Sequence, residues 1–70
     1  MNEIALDSSA LRAVSYDGEK QLLWIHFRRG DRYLYEAVPE SVYYALLHAP
    51  SQGQYFNSAV RGHFRFQCLS

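Results

Sequence analysis

The sequence predicts a two-layer α+β domain: a three-stranded antiparallel meander with two short helices packed on one face. The order is β-β-β-α-α, followed by a short fourth strand or an extended tail. Three observations carry this expectation. Three β-rich segments follow one another across connections of a few residues, which antiparallel neighbours allow and parallel ones do not. Pro39 then opens a stretch with helical spacing, and Pro50 divides that stretch in two. The chain has 70 residues and one cysteine, so it makes a single domain, residues 1–70, with no internal disulfide.

The first strand is "ALRAVSY" (10–16), and Asp17-Gly18 begins the turn after it. "QLLWIHFR" (21–28) is the clearest strand, rich in β-branched and aromatic residues with no Gly or Pro. "RYLYEAV" (32–38) is the third. The turn between the last two assigns the faces. A two-residue turn at Arg29-Gly30 would force Arg29 to positive φ. A three-residue loop, Arg28-Arg29-Gly30, needs only Gly30 there. That register sets Ile25 opposite Tyr33 and Leu23 opposite Tyr35. Leu23, Ile25, Phe27, Tyr33 and Tyr35 then share one face, and Trp24, His26, Arg32 and Leu34 take the other.

Pro39 suits the first turn of a helix, where a missing N–H costs nothing. Val42, Ala45, Leu46 and Ala49 recur at the spacing of a buried stripe, and Glu40, Tyr44 and His48 fall opposite. After Pro50, Ser51 offers an N-cap and Gln54 completes a capping box. Phe56, Ala59, Val60 and His63 repeat the buried spacing, and Gly62 suits a left-handed helix end. In "HFRFQCL", Phe64, Phe66 and Cys68 alternate with His63, Arg65 and Gln67, as a short strand or a tail lying over the sheet would.

Residues 32–57 hold five of the six tyrosines. In so short a chain most of this aromatic run is needed to build the core, since each ring can bury about 150–250 Å².

Composition limits the functional classes. Net charge is zero, which argues against gripping nucleic acid along a broad basic face. No acidic residue follows Glu40, while Arg61 and Arg65 do. The N-terminus lacks the basic and apolar regions of a secretory signal, and no apolar run approaches the ~20 residues of a membrane span. A lone cysteine fits a reducing compartment, so a cytoplasmic protein without membrane contact is expected. Cys68, His63, His48 and His26 match no usual zinc spacing, no carboxylate pair or phosphate loop is evident, and no cofactor is implied. Arg29-Gly30-Asp31 matches an adhesive tripeptide but is explained by the turn. An enzyme is not expected.

Several features form an ordered set: Ser8-Ser9, Tyr16-Asp17, Phe27 and Gly30, Tyr33-x-Tyr35, Val38-Pro39, Ala49, Ser51-x-Gly53, Tyr55-Phe56-Asn57 and Arg61. Over residues 8–62 this set resembles the KTSC domain, a short bacterial domain named for its occurrence at the C-terminus of some lysyl-tRNA synthetases. Residues 63–70 do not map onto the family pattern. The resemblance implies a domain of unknown function for which RNA binding has been suggested from the synthetase attachment, with no catalytic residue to carry over.

Two surfaces emerge as candidates. The first helix must return toward the Arg28-Arg29-Gly30 loop, so the second should start near it. Ser51, Gly53 and Gln54 would then offer free N–H groups beside Arg28, Arg29, Arg32 and His48, a small anion site suited to RNA or another phosphate-containing ligand. Alternatively, Ser51 only caps a helix and the arginines are solvated or pair with Asp31. The other surface is the second sheet face. Leu22, Trp24 and Leu34 point there while both helices cover the opposite one, which suits a protein partner or a homodimer. The rival is a cover supplied by "HFRFQCL" or by "NEIAL" (2–6).

Overall fold

A computed structural model describes residues 3–70. Five antiparallel strands lie side by side in chain order: β1 (Ile4–Ala5), β2 (Leu11–Asp17), β3 (Leu22–Phe27), β4 (Arg32–Tyr35) and β5 (Phe66–Cys68). Between β4 and β5 come α1 (Glu40–His48) and α2 (Gln52–Tyr55), the latter running into a π-helical turn, Phe56–Val60. The α+β meander covered by two helices is as expected, with two strands more than the three that form its centre. "HFRFQCL" contributes a strand, not a tail, and "NEIAL" contributes β1, which sequence reading did not assign.

A bulge shapes β2. Leu11 pairs with Phe27, yet Ala13 pairs with His26, so one extra residue is inserted at Arg12. In a regular strand Leu11 and Val14 would face opposite sides. The bulge turns both inward, where they are fully buried. The turn to β3 is set by Asp17, whose Oδ1 accepts the N–H groups of Glu19 and Lys20. Its left-handed residue is Gln21 (φ 55), not Gly18.

The β3–β4 hairpin has the expected register: Ile25 faces Tyr33 and Leu23 faces Tyr35. Phe27 N–H bonds to the Asp31 carbonyl and closes the loop, with Gly30 at φ 110. The third strand stops sooner than its composition suggests. Ala37 turns left-handed (φ 58), and Val38 leaves the sheet plane to become fully buried. Its N–H is taken by the Gln21 carbonyl, and its own carbonyl accepts the Tyr16 hydroxyl.

Pro39 is the N-cap of α1, one position before its first helical residue Glu40, and not inside the first turn as expected. The buried stripe is also rotated. Tyr43 and Leu46 are buried, Val42 and Leu47 are half-buried, and Ala45 is exposed. The reason is Tyr43, whose ring stacks on Tyr16 at 4.6 Å between centroids and 14° between planes. A tyrosine brings far more area to the core than Ala45 can. Ser51 caps α2 by accepting the Gln54 N–H at 3.4 Å. Only half of the capping box forms: Gln54 is exposed, and it is the Gln52 amide that donates, to the Leu47 carbonyl.

In the π turn the Arg61 N–H reaches back five residues to the Phe56 carbonyl. Phe56 and Val60 are buried, as their spacing predicts, and Gly62 is left-handed at φ 80. His63 is exposed, contrary to the buried spacing, because the wider turn shifts the phase. The half-buried Phe64 packs against the core instead. The chain then returns beside β4, pairing Phe66 with Tyr35 and Cys68 with Tyr33.

Candidate functional site

The seven residues of the expected anion site do not converge. Segment 7–10 packs against the start of the second helix on one side and holds Arg28 on the other. The Arg28 guanidinium donates to the Ser8 and Leu6 carbonyls. Ser8 Oγ in turn accepts the N–H groups of Ala10 and Leu11. A Cβ on Gly53 would sit 3.4 Å from the Ala10 Cβ, so this glycine faces protein, not an open approach. The shallow cleft at Ser51, Gln52 and Gly53 is shared with Asp7, whose carboxylate disfavours an anion there. Gln54 and His48 are exposed, and Arg32 lies on the opposite sheet face beside Trp24.

A different constellation forms on the helix-covered side. A groove of about 620 Å³ runs between the sheet and the π turn. Its apolar wall is Phe27, Tyr33, Tyr35, Phe56 and Phe66, and its polar rim includes Arg28, Arg29, Asn57 and Arg61. No acidic residue lines it. The hairpin register brings Phe27, Tyr33 and Tyr35 to one face, and β5 adds Phe66 beside them. The π turn then carries Asn57 and Arg61 to the rim.

The rings form one connected set. Phe27 meets Tyr33 edge-on at 5.6 Å, Tyr33 and Tyr35 are near-parallel at 6.3 Å, and Phe66 lies 5.5 Å from Tyr33 and 5.7 Å from Tyr35. Phe56 packs edge-on against both Phe27 and Tyr35. Most of this set is core: Tyr35 and Phe56 are each only 3% exposed. Phe66, at 52%, is open to solvent, and Tyr33 is half-buried. Burial pushes the Tyr35 hydroxyl above its usual value near 10, with the neighbouring Tyr33 adding to the rise and Arg61 opposing it. Arg61 and Tyr35 line the same groove.

Of the residues quoted for the resemblance, Ser9, Phe27, Tyr33, Tyr35, Phe56, Asn57 and Arg61 line this groove. The others serve the frame: Pro39 and Ser51 start helices, Gly53 packs on Ala10, and Tyr55 is half-buried at the end of α2. Sequence reading missed Phe66. The alternation through 63–68 was its signal, but it placed Phe66 on a face without saying which strand that face adjoined.

The opposite sheet face carries Leu22, Trp24 and Leu34, all half-buried. Glu3, His26, Arg32 and Leu69 surround Trp24 in a shallow pocket of about 430 Å³. The patch is less bare than expected, since β1 and the end of β5 flank it. Among the described residues no three His, Cys, Asp or Glu side chains stand close enough to share a metal ion, and no helix is long and apolar enough to cross a membrane.

Fold and groove together define a small α+β domain with one face of a five-stranded antiparallel sheet covered by two short helices. Residues 7–64 match the model of the KTSC domain, and the chain belongs to that family. It is 46% identical over 67 residues to an uncharacterized protein of Stutzerimonas stutzeri, covering 94% of both chains. It is 42% identical over 64 residues to a lysine–tRNA ligase of Nostoc punctiforme, covering 91% of this chain but 11% of that protein. The crystal structure of a KTSC domain protein from Yersinia pestis superposes with a TM-score of 0.93 at 28% identity, over 99% of this chain and 97% of the other.

Proposed function

We propose that the chain is a non-catalytic, cytoplasmic binding module that holds a short unpaired stretch of RNA in the groove between the sheet and the π turn. The observation that supports this is the groove's composition: the exposed Phe66 ring and the half-buried Tyr33 ring beside arginines, with no carboxylate along its lining. Unpaired bases stack on aromatic side chains, each contact worth about 1–3 kcal/mol by alanine substitution, and arginines attract the phosphates. In a duplex those base faces are already stacked, so double-stranded RNA competes poorly. The lysine–tRNA ligases that share this stretch are named for a transfer RNA, which is consistent with an RNA setting. With net charge zero, binding is weak and its salt dependence shallow, about −0.7 in log–log slope per phosphate engaged.

The test is a titration with mixed-sequence single-stranded RNA at low salt, followed by the amide signals of Asn57, Arg61 and Gly62. Phe66→Ala should weaken binding about tenfold or more without unfolding the domain, since the ring is half in solvent. No shift at hundreds of micromolar protein removes the proposal.

A second reading rests on the other sheet face, where Leu69 is 48% exposed beside Trp24. There a second copy would cover Leu22, Trp24 and Leu34. Sedimentation across a wide concentration range decides it: a monomer throughout rejects the homodimer.

A further inference from the structure

How much of a strand the groove can hold depends on which arginines are free. Arg28 is committed, its guanidinium donating to two backbone carbonyls of the segment before β2. Arg29 is paired with Asp31 at 2.8 Å and lies over the Phe27 ring, 5.2 Å from its centroid. Arg61 is exposed, and its side chain has no ion-pair partner among the described residues. Only its backbone is held, by the bond that closes the π turn. One guanidinium of three is therefore available to a ligand.

A second observation lies beside it. The Tyr35 ring is almost wholly buried, yet its hydroxyl finds no hydrogen-bond partner among the described residues, in contrast to Tyr16, which donates to Val38. Among the described residues no side-chain oxygen or nitrogen is sealed away unpaired, so the Tyr35 oxygen keeps some contact with solvent, and Tyr35 is a lining residue of the groove. A buried phenol normally finds a partner, so an unpaired one at the floor of a groove is ready for a ligand's acceptor. Asn57, exposed on the same rim, adds an amide that can both donate and accept. The open ring face of Phe66 adjoins Tyr35.

We infer that Arg61 and the Tyr35 hydroxyl bind the phosphate of one nucleotide whose base lies against Phe66 and Tyr33, so that the groove recognises a single nucleotide unit and does not track a strand. This rests on the RNA reading of the same groove and narrows it. One phosphate is engaged, so the salt slope is about −0.7 whatever the length of the strand. A longer strand gains only the statistical factor of its equivalent registers.

The experiment titrates the full chain with adenosine, adenosine 5′-monophosphate and an oligoadenylate of about ten nucleotides, reading the Asn57, Arg61 and Gly62 amides. The monophosphate should bind about tenfold tighter than adenosine, the margin of one charge-assisted contact. The oligonucleotide should bind at most roughly tenfold tighter than the monophosphate, with a slope near −0.7. Arg61→Gln should erase the difference between monophosphate and nucleoside, and Tyr35→Phe should reduce it. Equal binding of adenosine and its monophosphate overturns the phosphate site. An oligonucleotide about a hundredfold tighter than the monophosphate, with a slope of several, overturns the single-nucleotide limit. Monophosphate binding without oligonucleotide binding refutes the RNA reading while the phosphate site stands.

Discussion

Two tyrosine-to-phenylalanine substitutions should separate the hydroxyl that holds the fold from the hydroxyl left for a ligand. In Tyr16→Phe the ring stays, and with it the stack on Tyr43 and the area buried. What is lost is the donor to the carbonyl of Val38, a residue with no exposed surface. Leaving a buried carbonyl without its donor costs about 1–3 kcal/mol, or roughly 5- to 150-fold in the unfolding equilibrium. A domain of 70 residues holds about 3.5–10 kcal/mol in all, so the loss is a sizeable share. Tyr35→Phe removes a hydroxyl with no partner among the described residues and should change stability by no more than about 0.5 kcal/mol. Urea unfolding at neutral pH, followed by Trp24 fluorescence, measures both, and equal slopes establish that the midpoints compare stabilities. If Tyr35→Phe costs as much as Tyr16→Phe, the Tyr35 hydroxyl has a structural partner and the argument from its freedom collapses.

Three further outcomes are expected. Burial, as the leading cause, raises the Tyr16, Tyr35 and Tyr43 hydroxyls above their usual value near 10. In alkali the unfolded chain therefore releases these protons first and binds fewer than the native state, so stability is retained below about pH 10 and falls as pH rises beyond it; a urea midpoint that stays level through that range contradicts this. Arg28→Ala should destabilise by about 1–3 kcal/mol, because two carbonyls lose a charged donor. Arg29→Ala should cost under about 1 kcal/mol, because its pair with Asp31 is exposed, and the two urea midpoints test the contrast. Gly53→Ala should be neutral or stabilising by up to about 1 kcal/mol, given ordinary contact with Ala10 and the helical preference for Ala, and it should leave RNA binding unchanged; lost binding would return the site to the start of α2.

Where local rules act alone, the sequence was readable. A loop that can hold only glycine at its left-handed position fixed the β3–β4 register, and with it the inward set Leu23, Ile25 and Tyr35. The misreadings fall where a tertiary contact overrides spacing. Ala45 fits a helical stripe as well as Tyr43 does, but only Tyr43 has the Tyr16 ring to stack on, and that partner lies in another element. The bulge at Arg12 leaves no mark in composition. It can be inferred only once Leu11 and Val14 are both known to be buried. The π turn is likewise silent in the sequence: Phe56 and Val60 suit an α-helix equally well, and the extra residue shows only in the displacement of His63 to the surface.

The candidate site was less legible because it depends on which polar groups are already satisfied. Arg28, Arg29 and Arg61 are equivalent letters in a sequence, yet one is tied to carbonyls, one is paired with Asp31 and one is free. The expected anion site counted arginines by their nearness to a turn and assigned Arg32 to it, although strand alternation already placed Arg32 on the Trp24 face. Availability, not proximity, is what lets a charge recognise a ligand, because a guanidinium with its donors spent must give up those bonds before it can make new ones. By that criterion the groove is a better candidate than the start of α2. At α2 the backbone is packed against Ala10 and shares its cleft with Asp7. The groove is lined by a guanidinium and a phenol that have no partner among the described residues, and by an exposed ring, with no acidic residue along it.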